Sequence, residues 1–135
     1  MDEQRLEDSG KLLLRVTLGG LLLLHGVHKA QHGIDGIRTM LTAHGLPAVM
    51  AHGAWFGEIV APVLVILGVG TRYAAAFMAV FMVMAVYLAH ASQIASLSER
   101  SGGYALELQA LYLLGAVSVA LLGAGRFALG RGRFR

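Results

Sequence analysis

Residues 77–89 read FMAVFMVMAVYLA, and this stretch decides the fold class. It lies in an apolar segment that runs from about Arg72 to Ser92. A helix needs about 20 mostly apolar residues to cross the hydrocarbon core of a bilayer. A membrane-spanning strand would need apolar side chains to alternate with polar ones, and these side chains do not alternate. The stretch therefore predicts a transmembrane α-helix.

Three further segments have the same length and character. They run from about Lys11 to Gln31, from about Met50 to Gly70 and from about Tyr104 to Gly123. Between the first two lies a connector whose apolar residues recur at helical spacing, which predicts a short interfacial helix between glycine breaks. The predicted fold class is all-α, an integral membrane four-helix bundle.

The composition agrees with a membrane protein of one domain. Hydrophobic residues make up 56% of the 135 residues and charged residues 14%, whereas soluble domains average about 25% charged residues. The chain has no cysteine, which excludes disulfides, thiolate nucleophiles and cysteine-held iron–sulfur clusters within it. Nothing in the charge pattern indicates a nucleic acid partner.

The distribution of basic residues predicts the orientation. With four spans, the N-terminus, the turn at Arg72 and the C-terminal tail share one side, which carries most of the Lys and Arg. Basic residues favour the cytoplasmic side. We therefore expect a protein of the plasma (inner) membrane with both termini cytoplasmic: an N-terminal segment 1–10, a membrane domain 11–125 and a basic tail 126–135. The acidic first ten residues are unlike a signal peptide, so we expect the first apolar run to remain as a span.

Ionisable side chains within spans are costly and usually mark function. At a rise of 1.5 Å per residue, most of them fall at one level, in the outer half of the predicted bundle. Those residues are His25, His28, Lys29, His52, Glu58, His90 and Glu107. Arg15 falls in the inner half, where its long side chain can also reach the cytoplasmic surface. We expect the outer group to line a polar pocket.

Glu58 is the strongest candidate for a functional residue. Its neighbour Gly57 allows another helix to approach closely. Pro62, four residues later, cannot donate a hydrogen bond to the Glu58 carbonyl and predicts a kink there. A buried carboxyl group needs a partner to remain charged, and Lys29 is the natural one. A purely structural tie between two helices remains the alternative interpretation.

Three histidines of the first span, His25, His28 and His32, share one helix face. Their spacing suits a metal ion or a haem, and it suits a polar lining equally well. The sequence has no His-Glu-x-x-His motif. We therefore assign no metal ligand, and we predict no intrinsic haem, flavin or iron–sulfur cluster.

The order of motifs along residues 11–129 resembles the DoxX family of small four-helix membrane proteins. The matching residues are Leu14-Arg15, Gly19, His25-Gly26-Val27-His28-Lys29, Gly45-Leu46-Pro47, Glu58, Leu67-Gly68-Val69-Gly70-Thr71-Arg72, Met84-Ala85, Tyr104, Glu107 and Gly123-Ala124-Gly125-Arg126-Phe127. The family often ends Gly-Pro-Gly-Arg-x-Ser-x-Asp, and this chain lacks that Pro, Ser and Asp.

The resemblance implies a membrane redox component, because relatives include the membrane subunit of a thiosulfate:quinone oxidoreductase. On this interpretation a quinone is the cofactor, and Glu58, His28 and Lys29 are the catalytic residues. The expected quinone-binding residues are His25, Trp55, His90, Glu107 and Arg15. The chain has no redox centre of its own, so electrons would come from the substrate or from a partner redox subunit.

Two other functions remain open at this point. One is a small-molecule transporter with its site at Glu58 and the Pro62 kink. The other is an assembly or interaction protein for a partner redox enzyme. Membrane lipid is an expected partner in every case, and a homo-oligomer is compatible with each.

Overall fold

The computed structural model describes residues 2–130. Five helices follow one another in this part of the chain: α1 (Glu3–His32), α2 (Asp35–Ala43), α3 (Ala48–Leu67), α4 (Thr71–His90) and α5 (Glu107–Leu122). A short 3₁₀ turn, Ala91–Gln93, extends α4. Residues 2–130 contain no strand, and one isolated bridge joins Leu97 to Tyr104. The all-α prediction is confirmed, and α2 is a short helix in the connector where the sequence predicts one.

Three of the helices are long and apolar enough to cross a bilayer. They are α1 with 30 residues, α3 with 20, and α4 with 23 when its 3₁₀ turn is included. The fourth, α5, has 16 residues, which corresponds to roughly 24 Å against a hydrocarbon core of about 30 Å. It starts at Glu107 rather than at Tyr104, because Tyr104 pairs with Leu97 and its hydroxyl donates to the Ile94 carbonyl. The chain is an integral membrane protein built as a helical bundle.

The bundle has two distinct ends. The connector end is where α1 and α4 finish and α3 and α5 begin. The terminal end holds the start of α1, the turn at residues 68–70 and the segment 123–130. Gly68 and Gly70 have φ values of 74° and 54°, which glycine adopts without steric cost, and they form the tight turn that the sequence predicts between α3 and α4.

One face of α1 packs directly against α3. Its residues Arg15, Gly19, Leu22, Gly26 and Lys29 recur at alternating spacings of four and three, which places them on one stripe of the helix. A Cβ atom added to Gly19 would lie 2.9 Å from the Pro62 carbonyl oxygen, and one added to Gly26 would overlap the carbonyl oxygen of Glu58. The two glycines therefore allow close approach of the backbones. Gly20 has open space around it, so it does not contribute to this approach.

Arg15 fastens the terminal end. Its guanidinium donates to the Val65 carbonyl at 3.0 Å and to the carbonyls of Ile66 and Phe127. The first two carbonyls lie in the last turn of α3, where carbonyl groups lack regular helix partners, and the Val65 carbonyl also accepts from the Gly68 amide. Asp8, also buried, accepts a hydrogen bond of 3.1 Å from the Arg126 amide. These contacts hold segment 123–130 against the bundle, while the tail residues 131–135 lie outside the described residues.

Candidate functional site

Glu58 lies at the irregular centre of α3. The helix begins as a 3₁₀ turn (Ala48–His52), passes through a short α turn and a π turn (Phe56–Val60), and ends as a regular α-helix from Ala61 to Leu67. Pro62 has no amide hydrogen for the Glu58 carbonyl, so the regular helix bond cannot form there. The predicted irregularity is present and takes the form of a π turn, a feature that is frequent at functional sites.

The predicted contact between Glu58 and Lys29 is confirmed. The Lys29 Nζ atom donates to Glu58 Oε1 at 2.5 Å, and the two side chains are 30% and 9% exposed. The second carboxylate oxygen, Oε2, is buried and has no hydrogen-bond partner in the described part of the chain. A buried polar atom without a partner is costly. The carboxylate therefore retains an unused acceptor inside the bundle.

Two cavities meet at Glu58. The α2-side cavity, of about 220 Å³, lies beneath α2 and includes Lys29 in its wall. The α5-side cavity, of about 210 Å³, reaches toward α5. Glu58, Ala85 and His90 line both cavities. His90 Nδ1 is also buried without a hydrogen-bond partner within residues 2–130, so the wall common to both cavities carries two unsatisfied polar atoms.

Four of the predicted site residues meet around these cavities: His25, Lys29, Glu58 and His90. His25 lines the α5-side cavity, and its ring makes an edge-to-face contact with the Tyr112 ring, with the two centroids 5.9 Å apart. The residues come from α1, α3 and α4, as the estimate of their depth predicts. They combine two imidazole rings, one carboxylate and one amine at a single level of the bundle.

The structure places the other predicted site residues elsewhere. His28 is exposed and stacks on His32, with ring centroids 4.2 Å apart. Trp55 packs beside the α2-side cavity, against an apolar cluster that includes Leu41. Glu107 is exposed at the start of α5.

Arg15 belongs to the terminal end, where its guanidinium is occupied by carbonyl groups. His52 lies 3.5 Å from Arg38 across the connector end. Within residues 2–130, no three His, Asp or Glu side chains converge as metal ligands would.

Two residues of α5 that sequence reasoning missed complete the α5-side cavity. Gln109 and Tyr112 are in its wall and lie three residues apart, so they share one helix face. The available signal was their polarity on a mostly apolar helix. That signal was weak, because a glutamine near a membrane boundary is also common at an interface with water.

Comparison with known proteins gives two matches. The DoxX family profile matches residues 10–91, more than half of the chain. A protein of Bacillus subtilis (strain 168) named "Putative oxidoreductase CatD" is 35% identical over 77 residues, which cover 57% of this chain and 57% of that protein. The chain thus spans somewhat more than half the length of this relative. No solved structure matches the chain at a significant level.

The family match contains the centre of the site. Lys29, Glu58 and His90 lie within residues 10–91. Arg15, which binds the last carbonyls of α3, lies there as well. Gln109 and the segment 123–130 fall beyond it, so the part of the resemblance that lies after residue 91 is not covered by the match. From the extent of this match and the helical membrane bundle that carries it, the chain belongs to the DoxX family.

Proposed function

We propose that this protein is a quinone-reactive component of a membrane redox system. The observation that carries the proposal is the buried Lys29–Glu58 pair, on a wall where Glu58 Oε2 and His90 Nδ1 lack partners. The name of the Bacillus subtilis relative, an oxidoreductase, supports a redox role.

The residues around the two cavities fit a quinone ring. Binding sites for small molecules are mostly apolar, with a few placed polar groups, and usually have volumes of about 300–1,000 Å³. The α2-side and α5-side cavities together reach this range, and both have mainly apolar walls: Leu41 lines the first, Met82 the second and Ala85 both. A quinone carbonyl only accepts hydrogen bonds, so Glu58 binds one ring carbonyl with a proton on Oε2, and His90 binds the other with a proton on Nδ1.

A bound quinone would supply an acceptor for two electrons and two protons. Within the chain, Lys29 holds the Glu58 carboxylate in place and compensates its charge. When protonated, Glu58 Oε2 and His90 Nδ1 can each release a proton to a neighbouring ring oxygen, and the Glu58 carboxylate that remains is then the one paired with Lys29. The helix α2 lies over the α2-side cavity and limits the access of water. The two electrons come from a reduced substrate or from a partner redox subunit.

The proposal places the site in the outer half of a plasma membrane protein whose termini are cytoplasmic. Among the described residues, the terminal end carries the basic residues Arg5, Lys11, Arg15, Arg72 and Arg126. The connector end carries Lys29, Arg38 and Arg100. This excess at the terminal end favours its cytoplasmic location.

A transporter is the second candidate, because one observation favours it. Glu58 lies midway along α3 and within the π turn that interrupts this helix. Interrupted helices with an ionisable residue near the membrane midplane are typical of substrate and ion sites in transporters. On this alternative, Glu58 would exchange a proton or cation during transport.

Quenching of tryptophan fluorescence tests the quinone proposal. Trp55 is the single tryptophan of the chain and packs beside the α2-side cavity, so an added quinone that binds there should quench it saturably. The variant Glu58→Leu with His90→Leu should bind the quinone at least about tenfold more weakly, since it loses both hydrogen-bond donors to the ring carbonyls. The exposed Glu107→Gln is the control. Unchanged quinone affinity in the double variant would contradict the proposal. Uptake of a solute into vesicles that requires Glu58 but no quinone would favour the transporter.

A further inference from the structure

A third cavity runs between α4 and α5, and we call it the α4–α5 groove. Its volume is about 330 Å³, the largest of the cavities described, and its walls are almost entirely apolar. Val83 and Val86 form the α4 side, and Ala110 and Leu113 of α5, with Leu106 just before that helix, form the other side. Val83 is 54% exposed, so the groove opens sideways toward lipid rather than toward water.

The groove adjoins the polar part of the bundle at one residue. Gln109 lines both the α4–α5 groove and the α5-side cavity. The α5-side cavity in turn shares Glu58 and His90 with the α2-side cavity. At the connector end, the Tyr104 hydroxyl donates to the Ile94 carbonyl at 2.6 Å, and both residues line the groove. This hydrogen bond holds the loop that closes that end of the groove.

The combined shape selects a molecule with two chemically different parts. The inner part presents Glu58 Oε2 and His90 Nδ1, buried atoms that lack partners in residues 2–130. The outer part presents aliphatic side chains to a lateral opening. A polar group at the inner end of an apolar chain satisfies both parts. The acyl chain of a phospholipid satisfies only the outer part, because its headgroup stays at the membrane surface.

We propose that the α4–α5 groove binds the hydrocarbon chain of the same quinone whose ring lies at Glu58 and His90. The ligand is then a long-chain membrane quinone that enters from the bilayer between α4 and α5, past Gln109. This inference rests on the proposed function and specifies its substrate class. The hydrocarbon chain of the quinone leaves an apolar bilayer for an apolar groove. The groove therefore stabilises it by packing contacts rather than by the hydrophobic effect. We therefore expect a moderate effect on affinity, about five- to tenfold.

Two quinone probes separate the ring site from the groove. One is dimethoxymethylbenzoquinone, and the other is the same ring with a decyl chain, each titrated into the full chain in phosphatidylcholine nanodiscs with Trp55 fluorescence as readout. Ala110→Phe places a larger side chain in the groove. Val80→Phe is the matched control, because Val80 is 66% exposed on α4 and lines none of the cavities described here. Val83→Phe is a second groove variant, and because Val83 is 54% exposed, the larger side chain does not overpack the core.

The inference predicts weaker binding of the decyl quinone, by about five- to tenfold, in Ala110→Phe and Val83→Phe. Binding of the ring alone should be unchanged in both, and Val80→Phe should resemble the wild type with both probes. Equal effects on both probes, or none on the decyl quinone, would overturn the inference and leave the proposed function standing. Loss of a retained phospholipid from Ala110→Phe with unchanged decyl quinone binding would assign the groove to lipid and also overturn it. If neither probe bound the wild type, the proposed function would fail as well.

Discussion

Replacing Gly26 by Ala tests the contact that positions Glu58. The new Cβ would overlap the Glu58 carbonyl oxygen and lie 2.6 Å from Ile59 Cγ1, so α1 and α3 must move apart. Overpacking of this kind costs about 1–3 kcal/mol. The displacement should also lengthen the Lys29–Glu58 contact, because Lys29 and Gly26 lie on the same stripe of α1. The change is small in volume, which makes it a specific probe of this crossing.

Gly20→Ala is the matched control on the same helix, since a Cβ atom there meets nothing within 4 Å. Both substitutions gain the same helix propensity of about 1 kcal/mol, which cancels when the two variants are compared. Thermal unfolding in the same detergent should show Gly26→Ala less stable than Gly20→Ala, and the free energies of unfolding should differ by about 1–3 kcal/mol. Equal stability of the two variants would refute the close approach of α1 to the Glu58 carbonyl.

Three further predictions concern the ion pair, the terminal end and the topology. Glu58→Gln should lower the free energy of unfolding by about 3–5 kcal/mol, because it leaves Lys29 without its partner in the bundle. The loop variant Glu99→Gln should change it by less than about 0.5 kcal/mol. Similar values for the two variants in denaturation experiments would argue against a buried pair. Arg15→Met should speed tryptic release of the C-terminal segment, because Arg15 binds the Phe127 carbonyl. The control Arg5→Met should leave the cleavage rate unchanged. Identical rates for the two variants would show that Arg15 does not hold this segment. A reporter fused to the C-terminus should be active only as a cytoplasmic fusion, and periplasmic activity would reverse the proposed orientation.

The sequence predicted those features that depend on local pattern. The length and apolarity of the runs gave the helices, because each span must satisfy its own backbone hydrogen bonds. The contact between Lys29 and Glu58 followed from their depths on consecutive spans and from the cost of an unpaired charge. The irregularity at Glu58 followed from Pro62, whose missing amide hydrogen affects one known carbonyl.

Features that depend on helix rotation or on distant contacts were not predictable. His25 and His28 are three residues apart, yet one lines a cavity and the other stacks on His32 outside it. The pattern does not resolve this rotation, since both ring positions lie near one face. The role of Arg15 depends on a contact with Phe127, which is 112 residues away in the chain. An arginine side chain is long enough either to reach the membrane surface or to bind the last carbonyls of α3, so the sequence did not distinguish the two.

The most direct test of the central claim is the amount of quinone that the purified protein retains. The protein is extracted from its native membrane in mild detergent, and its lipid fraction is quantified by mass spectrometry for the wild type, for Glu58→Leu with His90→Leu, and for the control Glu107→Gln. The account predicts close to one quinone per chain in the wild type and in the control, and a loss of most of it in the double variant. Equal quinone content in all three proteins, or none in the wild type, would contradict a quinone site at Glu58 and His90.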